Sequence, residues 1–366
     1  MKLRSVTLYL SPKSWDTGYL KNYVESMVSS LNEAVETVKS DVDVWSLRLS
    51  TPPPPSGVDV IKAAETIYET SADLGVNLVS GFTLDAEGLD PDLLTRLLES
   101  GVYVSVEMNR GDYSRNVSRA LVEVAYKNPV LLADVAVIPG DLKGFLTPYF
   151  PLSVNTNPVE GLAVALLYPM DLLNAYEKDG WSGLAKEASR IISEGEMWGR
   201  KLSSSLKVEF YGVDHSISPW MEESSARLVE AVSGVPIPEL GSVAAVAKLN
   251  RVVQDAASKA GVKETGFCEL MLPVAEDDIL KLRGREGRLR LRDLVALSTV
   301  CVAGVDMAVV PADDAIPAVE KLMEDVYQVS MFKRRVLGVR VIPYPGVEPG
   351  DNVRLGFFGE VPVIPP

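Results

Sequence analysis

Residues 1–49 decide the fold class, and they are MKLRSVTLYLSPKSWDTGYLKNYVESMVSSLNEAVETVKSDVDVWSLRL. Apolar and polar residues alternate between Leu3 and Tyr9, which is typical of a strand. From Leu20 to Val38 the apolar residues recur every three or four positions, which predicts one face of a long helix. Asp43–Leu49 again has the pattern of a strand. A strand, a helix and a second strand in this order predict a βα repeat.

The same alternation continues to residue 138. Helices and strands are predicted in turn over Val58–Leu74, Asn77–Phe82, Pro91–Ser100, Val102–Glu107, Arg115–Lys127 and Asp134–Ile138. Such units pack around a mainly parallel sheet or close into a barrel. An open doubly wound parallel sheet is therefore the alternative to an α/β barrel.

The regular pattern is weakest at Gly140–Pro158, a connection rich in Gly, Pro and Asn. Helices are predicted beyond it over Gly161–Tyr176, Trp181–Ser205, Met221–Ser233, Ser242–Ala260, Asp293–Ala303 and Ala315–Val329. Strands are predicted over Lys207–Gly212, Met307–Val310 and Leu337–Ile342. No change in composition marks a linker and no repeat of fixed period appears, so we expect one large domain over residues 1–366.

The charge and the cysteine content restrict the partners and the location of the protein. Asp and Glu number 50 against 36 Lys and Arg, for a formal net charge of -14. We expect no nucleic acid partner, because this field repels a phosphate backbone. We expect no membrane span, because the longest apolar stretch, Leu294–Val310, is interrupted by Gly304 and Asp306. Cys268 and Cys301 are too few for a disulfide framework and suit a reducing cytoplasm.

Thermolabile residues are scarce in the sequence. Gln254 and Gln328 are the only glutamines. Few Gln and Cys together with abundant Glu, Lys, Arg and Pro are typical of proteins from hot habitats. Since acidic α/β proteins of that kind often assemble, we also expect a homo-oligomer.

Polar residues follow several predicted strands, where the carboxyl ends of parallel strands build the sites of α/β folds. We expect Arg48 to clamp the carboxylate of a small anionic metabolite at the mouth of the barrel. Ser80, Ser216 and Ser218 would orient that ligand. The alternative is that these side chains serve only as helix caps and turn residues.

Three carboxylates and one thiol are the candidates for chemistry at the same place. Asp214, Glu276 or Asp306 would act as acid or base, and Cys301 would lie nearby. His215 beside two serines does not make a hydrolase, because adjacent residues rarely meet productively and no G-x-S-x-G motif is present. Since no catalytic set is complete, a non-catalytic binding or regulatory protein is the alternative to an enzyme.

Metal and nucleotide cofactors have little support in the sequence. One histidine and two distant cysteines cannot make a zinc site. Glu276–Asp278 and Asp313–Asp314 could supply oxygen ligands for Mg²⁺, but acidic pairs also begin helices, where the helix dipole favours them. Neither a Walker A motif nor G-x-G-x-x-G occurs, so the cofactor stays unknown.

Several segments distributed in order along the chain carry a family resemblance. They are residues 1–7 (MKLRSVT), 48–52 (RLSTP), 80–82 (SGF), 147–151 (TPYFP), 214–219 (DHSISP), 268–277 (CELMLPVAED), 301–307 (CVAGVDM) and 340–343 (RVIP). Together they resemble an uncharacterised family, domain of unknown function 711, also called uncharacterised protein family 0210. The sequence departs from many members at His215, where they have an apolar residue, and it is shorter than many bacterial members.

The resemblance implies a fold and hints at a partner. Members are similar to the ten-stranded α/β barrel of the pyruvate formate-lyase-like enzymes, which would make this chain a small barrel of that kind. Bacterial members are often encoded beside a small ACT-domain protein, so the resemblance also implies a possible ACT-domain partner.

Overall fold

The computed structural model of the chain describes residues 2–313 and 315–366. The strands are β1 (Lys2–Tyr9), β2 (Asp43–Val44), β3 (Leu47–Ser50), β4 (Val79–Ser80), β5 (Phe82–Asp85), β6 (Val104–Met108), β7 (Val135–Pro139), β8 (Gly161–Leu167), β9 (Glu209–Asp214), β10 (Val305–Pro311), β11 (Val339–Tyr344), β12 (Asn352–Arg354) and β13 (Glu360–Pro362). The helices are α1 (Thr17–Glu36), α2 (Val60–Ala72), α3 (Pro91–Glu99), α4 (Ser114–Lys127), α5 (Pro169–Leu206), α6 (Ser225–Ser233), α7 (Ser242–Ala260), α8 (Asp278–Arg285), α9 (Leu291–Ser298) and α10 (Ala315–Lys333). The long helix α5 is broken at Gly180, whose backbone is not helical.

The predicted first helix is present as α1, and it begins at a capping residue. The side chain of Asp16 accepts a hydrogen bond of 3.1 Å from the backbone N–H of Tyr19, which satisfies one of the free donors at the helix start. Leu20, Val24 and Leu31 lie on one face of this helix and are fully buried. The apolar stripe seen in the sequence is therefore the face that packs into the core.

Two main sheets form the centre of the molecule. The first has the order β4-β3-β1-β8-β9, with β2 also paired to β1, and the second has the order β10-β11-β7-β6-β5. β1, β3 and β4 run parallel, and so do β5, β6 and β7. Each sheet also contains one antiparallel pairing, β1 with β8 and β7 with β11. The architecture is a mixed α/β one, which differs from the single open parallel sheet that was the alternative prediction.

The two sheets share what is nearly one strand. Only Gly81 separates β4, at the edge of the first sheet, from β5, at the edge of the second. Its φ is +116°, and a Cβ atom there would lie 2.3 Å from the carbonyl oxygen of Thr51. Any side chain would therefore collide with backbone, so glycine is required where the chain passes from one sheet to the other.

On the opposite side, residues 263–272 lie between β9 of the first sheet and β10 of the second, and they do not form a regular strand. Val213 on β9 donates to the carbonyl of Lys263 at 2.8 Å and accepts from the N–H of Thr265 at 3.1 Å. Further along, Val302 donates to the carbonyl of Leu270 at 3.3 Å. These bonds do not make a regular ladder, so paired strands do not form a closed barrel within the described residues.

The sequence prediction is wrong at Gly161–Leu167, which was assigned to a helix and is strand β8. All seven residues of this strand are buried, because neighbours cover both of its faces. A strand buried on both faces has a continuous apolar run, and such a run has neither the strand period nor the helix period. The helix begins only at Pro169, a residue suited to the first helical position.

One large hydrophobic core includes residues of both sheets and of the helices around them. β1 contributes Leu3, Val6 and Leu8, and β10 contributes Val309, all fully buried. In the part of the chain that the structure describes, none of the helices has the length and apolar character needed to cross a bilayer.

Candidate functional site

A cavity of about 640 Å³ lies between the two sheets, within the size range of small-molecule sites. It is lined near the beginning of β1 by Arg4, of β3 by Arg48, of β10 by Asp306 and of β11 by Arg340. The turn Val274–Glu276, ahead of α8, contributes Glu276. The cavity therefore combines charged groups from five separate elements.

Four of these groups form one buried network. The Nη2 of Arg4 donates to Glu276 Oε2 at 2.5 Å, and the Nη2 of Arg340 donates to Glu276 Oε1 at 2.9 Å. Arg340 also holds Asp306 through two bonds, Nε to Oδ1 at 2.6 Å and Nη2 to Oδ2 at 3.1 Å. Two guanidiniums are thus matched by two carboxylates, and the Arg340–Asp306 pair has the forked geometry that stabilises such pairs.

The network shifts the pKa values of its two carboxyl groups in opposite directions. Burial raises the pKa of Glu276, but the guanidiniums of Arg4 and Arg340 outweigh burial and hold this pKa below its ordinary value. Burial raises the pKa of Asp306 above its ordinary value, although Arg340 opposes the change. Asp306 is therefore the carboxyl of the network that takes up a proton more readily.

Arg48 is the third guanidinium of the cavity, and it differs from the other two. Its side chain is buried, and its bonds go to neutral oxygens: Nε to Ser46 Oγ at 3.1 Å and Nη1 to the carbonyl of Pro148 at 3.3 Å. Within residues 2–313 and 315–366, no carboxylate lies within 4.0 Å of it. Burial, with Arg4 nearby, lowers the pKa of Arg48 to about 10, so it still carries its charge at neutral pH.

Aromatic rings make up much of the remaining wall. They are Trp45, Tyr103, Tyr149, Phe150, Trp220, Phe267, Phe357 and Phe358. The guanidinium of Arg48 lies 5.2 Å from the ring centroid of Phe150, and that of Arg4 lies 5.5 Å from the ring of Trp45. At these distances the rings stabilise the cations without neutralising them.

Comparison with known proteins adds the family. The family model described as Uncharacterised ACR (DUF711) matches residues 174–356, which is half of the chain. The chain belongs to this family. The resemblance predicted from the sequence segments is thus confirmed.

Relatives in the DUF711 family match over the whole chain or over part of it. The "UPF0210 protein" of Pyrobaculum islandicum is 29% identical over 409 residues, which covers 100% of this chain and 90% of that protein. The one from Pyrobaculum arsenaticum is 28% identical, again over 100% of this chain and 90% of that protein. The one from Methanopyrus kandleri is 33% identical over 186 residues, 50% of this chain and 41% of that protein. The names of these relatives state no activity.

Four of the eight residues singled out in the sequence line the cavity: Arg48, Ser218, Glu276 and Asp306. Arg48 lies at the beginning of β3, whereas the sequence analysis expected it at a carboxyl end. Ser218 is fully buried and donates through Oγ to the carbonyl of Leu166 at 3.1 Å. These four come together although they are up to 258 positions apart in the sequence.

The other four lie outside the cavity lining, and Asp214 has the most evident structural task. Its carboxylate accepts bonds from Ser216 Oγ at 2.5 Å and from the backbone N–H groups of Ser216, Phe267 and Cys268 at 3.0, 2.8 and 3.1 Å. A Cβ at Gly266 would lie 2.1 Å from Asp214 Oδ2, so the loop can approach only because this residue is glycine. Asp214 thus holds the 266–268 loop against β9.

Ser216, Ser80 and Cys301 are engaged in similar local contacts. Ser216 supports Asp214, and Ser80 donates to the carbonyl of Pro151 at 3.0 Å. Cys301 is fully buried and its Sγ lies 3.7 Å from the carbonyl of Gly304. Burial raises the pKa of Cys301 to about 12, so the thiol is protonated at neutral pH and a poor nucleophile.

The acidic segments considered for Mg²⁺ do not form a cluster. Glu276 faces two arginines, while Asp277 caps α8 and accepts bonds from Ser224 Oγ at 2.6 Å and from the N–H of Ala226 at 3.0 Å. Asp313 accepts from the hydroxyl of Tyr126 at 2.6 Å, and its neighbour Asp314 lies outside the described residues. Among the residues described, no three His, Cys, Asp or Glu side chains are grouped as metal ligands would be.

Arg4, Arg340 and most of the aromatic wall line the cavity but were not predicted as site residues from the sequence. A weak signal for Arg4 was present, since it is a charged residue in a strand whose residues Leu3, Val6 and Leu8 are apolar. A charge at such a position needs a partner. Tyr149 and Phe150 come from the Gly140–Pro158 connection, which appeared only as an irregular stretch and in fact forms part of the cavity wall.

Proposed function

We propose that the protein binds a small metabolite carrying one negative charge in the cavity between the two sheets. The observation that carries the proposal is Arg48, a buried cation without a carboxylate partner among the described residues. A buried charge is costly unless it is paired, so an anionic ligand would supply the missing partner.

The charge balance of the cavity supports the same proposal. Among the described residues that line the cavity, Arg4 and Arg340 are matched by Glu276 and Asp306, and Arg48 carries one positive charge in excess. The Nε of Arg4 is buried and has no hydrogen-bond partner among the described residues, so a further donor is available inside the protein. A ligand with a carboxylate or a similar monoanionic group fits both features.

An enzyme acting on this anion is the second candidate function, and Asp306 favours it. Its carboxyl lines the cavity and has a raised pKa, as a group that exchanges a proton with a bound ligand requires. Turnover would be proton transfer at a position close to the ligand's carboxylate. The competing proposal, binding without turnover, rests on the fact that Arg340 already engages both oxygens of Asp306.

Calorimetric titration with propionate tests the proposed binding. We expect propionate to bind the wild-type protein and propionamide, its neutral analogue, to bind much more weakly. Arg48→Gln should weaken propionate binding roughly 10- to 100-fold, the usual size of a charge-assisted contact. Arg110→Gln is the matched control, because Arg110 is exposed and pairs with Asp112 at the surface. Equal affinity of propionate for the wild type and Arg48→Gln would refute the proposal.

The barrel implied by the family resemblance is also a proposal. We infer a ten-stranded barrel in which the segment from residue 264 to residue 272 takes the place of a strand between β9 and β10. The supporting features are the near-continuity of β4 and β5 and the parallel bridge between Val213 and Glu264. With that segment counted, and with β4 and β5 taken as one strand, five strands of the first half meet five of the second half at the two antiparallel pairings.

We further propose that the protein is cytoplasmic, adapted to heat and a homo-oligomer. The two cysteines are free and buried, which agrees with the cytoplasm. Heat adaptation is supported by the composition, which is typical of proteins from hot habitats, and the matched relatives include proteins of Pyrobaculum and Methanopyrus. Phe332 and Leu240 are 91% and 99% exposed, which agrees with a homo-oligomer, and an ACT-domain protein is a further partner to test. Sedimentation equilibrium of the purified chain, alone and with such a protein, would measure both kinds of assembly.

A further inference from the structure

One part of the cavity wall is formed by aromatic rings that contact one another. Trp45 and Trp220 have ring centroids 4.6 Å apart, and Trp220 lies 5.8 Å from Phe357 and 5.9 Å from Phe358. The two phenylalanines belong to the turn Gly356–Phe358 between β12 and β13, and their centroids are 4.1 Å apart. These four rings therefore form one contiguous part of the cavity wall.

These rings are held in place from behind, so the set is built into the fold. Lys281 is buried on α8 and donates through Nζ to the carbonyl of Phe358 at 2.9 Å. Arg4 donates through Nη1 to the carbonyl of Pro219, next to Trp220. Yet Phe357 is 65% exposed and Trp45 is 37% exposed. Apolar rings that are fixed but incompletely covered in the wall of a cavity are typical of a surface that a ligand completes.

The charge of the interior restricts what can bind with these rings. Among the described charged residues that line the cavity, only Arg48 lacks a carboxylate within 4.0 Å, so a monoanion balances these groups, whereas a dianion leaves an excess negative charge. A zwitterion would bring an ammonium group whose natural acceptors, Glu276 and Asp306, already receive bonds from guanidiniums. A ligand with one carboxylate and no further charge therefore matches the charge of the cavity.

We propose that the ligand is a monocarboxylate with an aromatic body, whose carboxylate pairs with Arg48 while its ring packs against the aromatic side chains that line the cavity toward Trp45 and Trp220. This inference rests on the proposed anion binding and specifies its substrate class. Ring–ring contacts of this kind add to affinity beyond the area they bury. A cavity of about 640 Å³ accommodates a ligand of this size.

Titration calorimetry with a matched set of compounds tests the class. The compounds are 3-phenylpropionate, 3-phenylpropanamide, 3-cyclohexylpropionate, phenylsuccinate, phenylalanine and propionate. We expect 3-phenylpropionate to bind tightest, with an affinity at least tenfold above that of each other compound. The amide tests the negative charge, the cyclohexyl compound tests the flat ring, and phenylsuccinate and phenylalanine test the single charge.

Two variants connect the affinities to the residues. Arg48→Gln should reduce binding of 3-phenylpropionate at least tenfold. Trp220→Leu should weaken binding of 3-phenylpropionate far more than binding of propionate, and so remove most of the preference between them. Its circular dichroism spectrum, compared with that of the wild type, checks that the variant is folded. Trp181→Leu is the matched control, because Trp181 packs against Tyr176 on α5 and does not line the cavity.

The possible failures separate the two proposals. If propionate binds as tightly as 3-phenylpropionate and both depend on Arg48, anion binding stands and the aromatic class is overturned. The class is overturned as well if phenylsuccinate or phenylalanine binds tightest. If neither propionate nor 3-phenylpropionate shows binding that depends on Arg48, the proposed function and the inference fail together.

Discussion

Replacing Arg48 with Met should stabilise the ligand-free protein, although it removes a buried side chain's hydrogen bonds. Burial and the nearby Arg4 lower the pKa of Arg48 from 12.5 to about 10. The folded state thus holds this proton less tightly than the unfolded state. At every pH below about 10 the charge lowers the free energy of unfolding, and at 1.36 kcal/mol per pKa unit the penalty is about 3 kcal/mol.

The lost hydrogen bonds offset part of that gain. Each is worth about 1 kcal/mol, and both acceptors keep other contacts. Ser46 Oγ still donates to the carbonyl of Arg4 at 2.7 Å, and the carbonyl of Pro148 still faces Thr7 Oγ1 at 3.4 Å. Met fills a similar volume with apolar atoms. The net expectation for Arg48→Met is about 1–2 kcal/mol of added stability, together with loss of anion binding.

Urea unfolding at pH 7 and low ionic strength measures this change. Guanidinium chloride is unsuitable because its chloride would occupy the site, and carboxylate buffers would stabilise the wild type by mass action. Arg340→Met is the comparison with the opposite sign, because it leaves Glu276 and Asp306 buried with too little positive charge and should cost about 3–5 kcal/mol. If Arg48→Met is destabilised as much as Arg340→Met, the charge of Arg48 is already compensated and the reasoning is wrong.

Three further predictions follow from single residues. Burial raises the pKa of Asp134 to about 6, so between about pH 4 and 6 the folded state retains a proton that the unfolded state has released. The contribution of Asp134 to the free energy of unfolding therefore declines as the pH rises through this range. Asp134→Asn should flatten that part of the curve of stability against pH. Gly81→Ala should lower the free energy of unfolding, measured by urea titration, by several kcal/mol, whereas Gly57→Ala, which has open space around its Cβ, should cost less. Cys301 should resist alkylation by iodoacetamide in the native protein and react fully in urea; rapid native labelling, located by mass spectrometry, would contradict its burial.

Much of the first half of the fold could be predicted from the sequence. The helices there are half exposed, so their apolar positions recur every three or four residues, as α1 illustrates with Leu20, Val24 and Leu31. β8 could not be predicted, because it is buried on both faces and, unlike β1 with Ser5 and Thr7, has no polar side chain to mark the strand period. The direction of the strands was equally out of reach, since an antiparallel pairing such as β1 with β8 depends on contacts between distant segments.

The candidate site was predictable where a polar residue is conspicuous in a strand or a loop. Arg48 and Asp306 were found in this way, and the structure places both in the cavity wall. Arg340 was missed because its partners, Glu276 and Asp306, are 64 and 34 positions away, and a sequence pattern carries no record of such pairs. Asp214 is conspicuous for the same reason as Arg48, yet its bonds hold a loop, and only the close approach of Gly266 reveals this.

The pairing of Arg4 with Glu276 joins residues 272 positions apart, and it has a consequence for how the protein is made. During synthesis β1 emerges early but cannot complete its sheet until β8 has followed, and the cavity still lacks Arg340 at that point. Chains dominated by such distant contacts fold slowly, and they expose unpaired strand edges while they wait. A ribosome-bound chain stalled before residue 340 should therefore have no binding site, however well its first helices have formed.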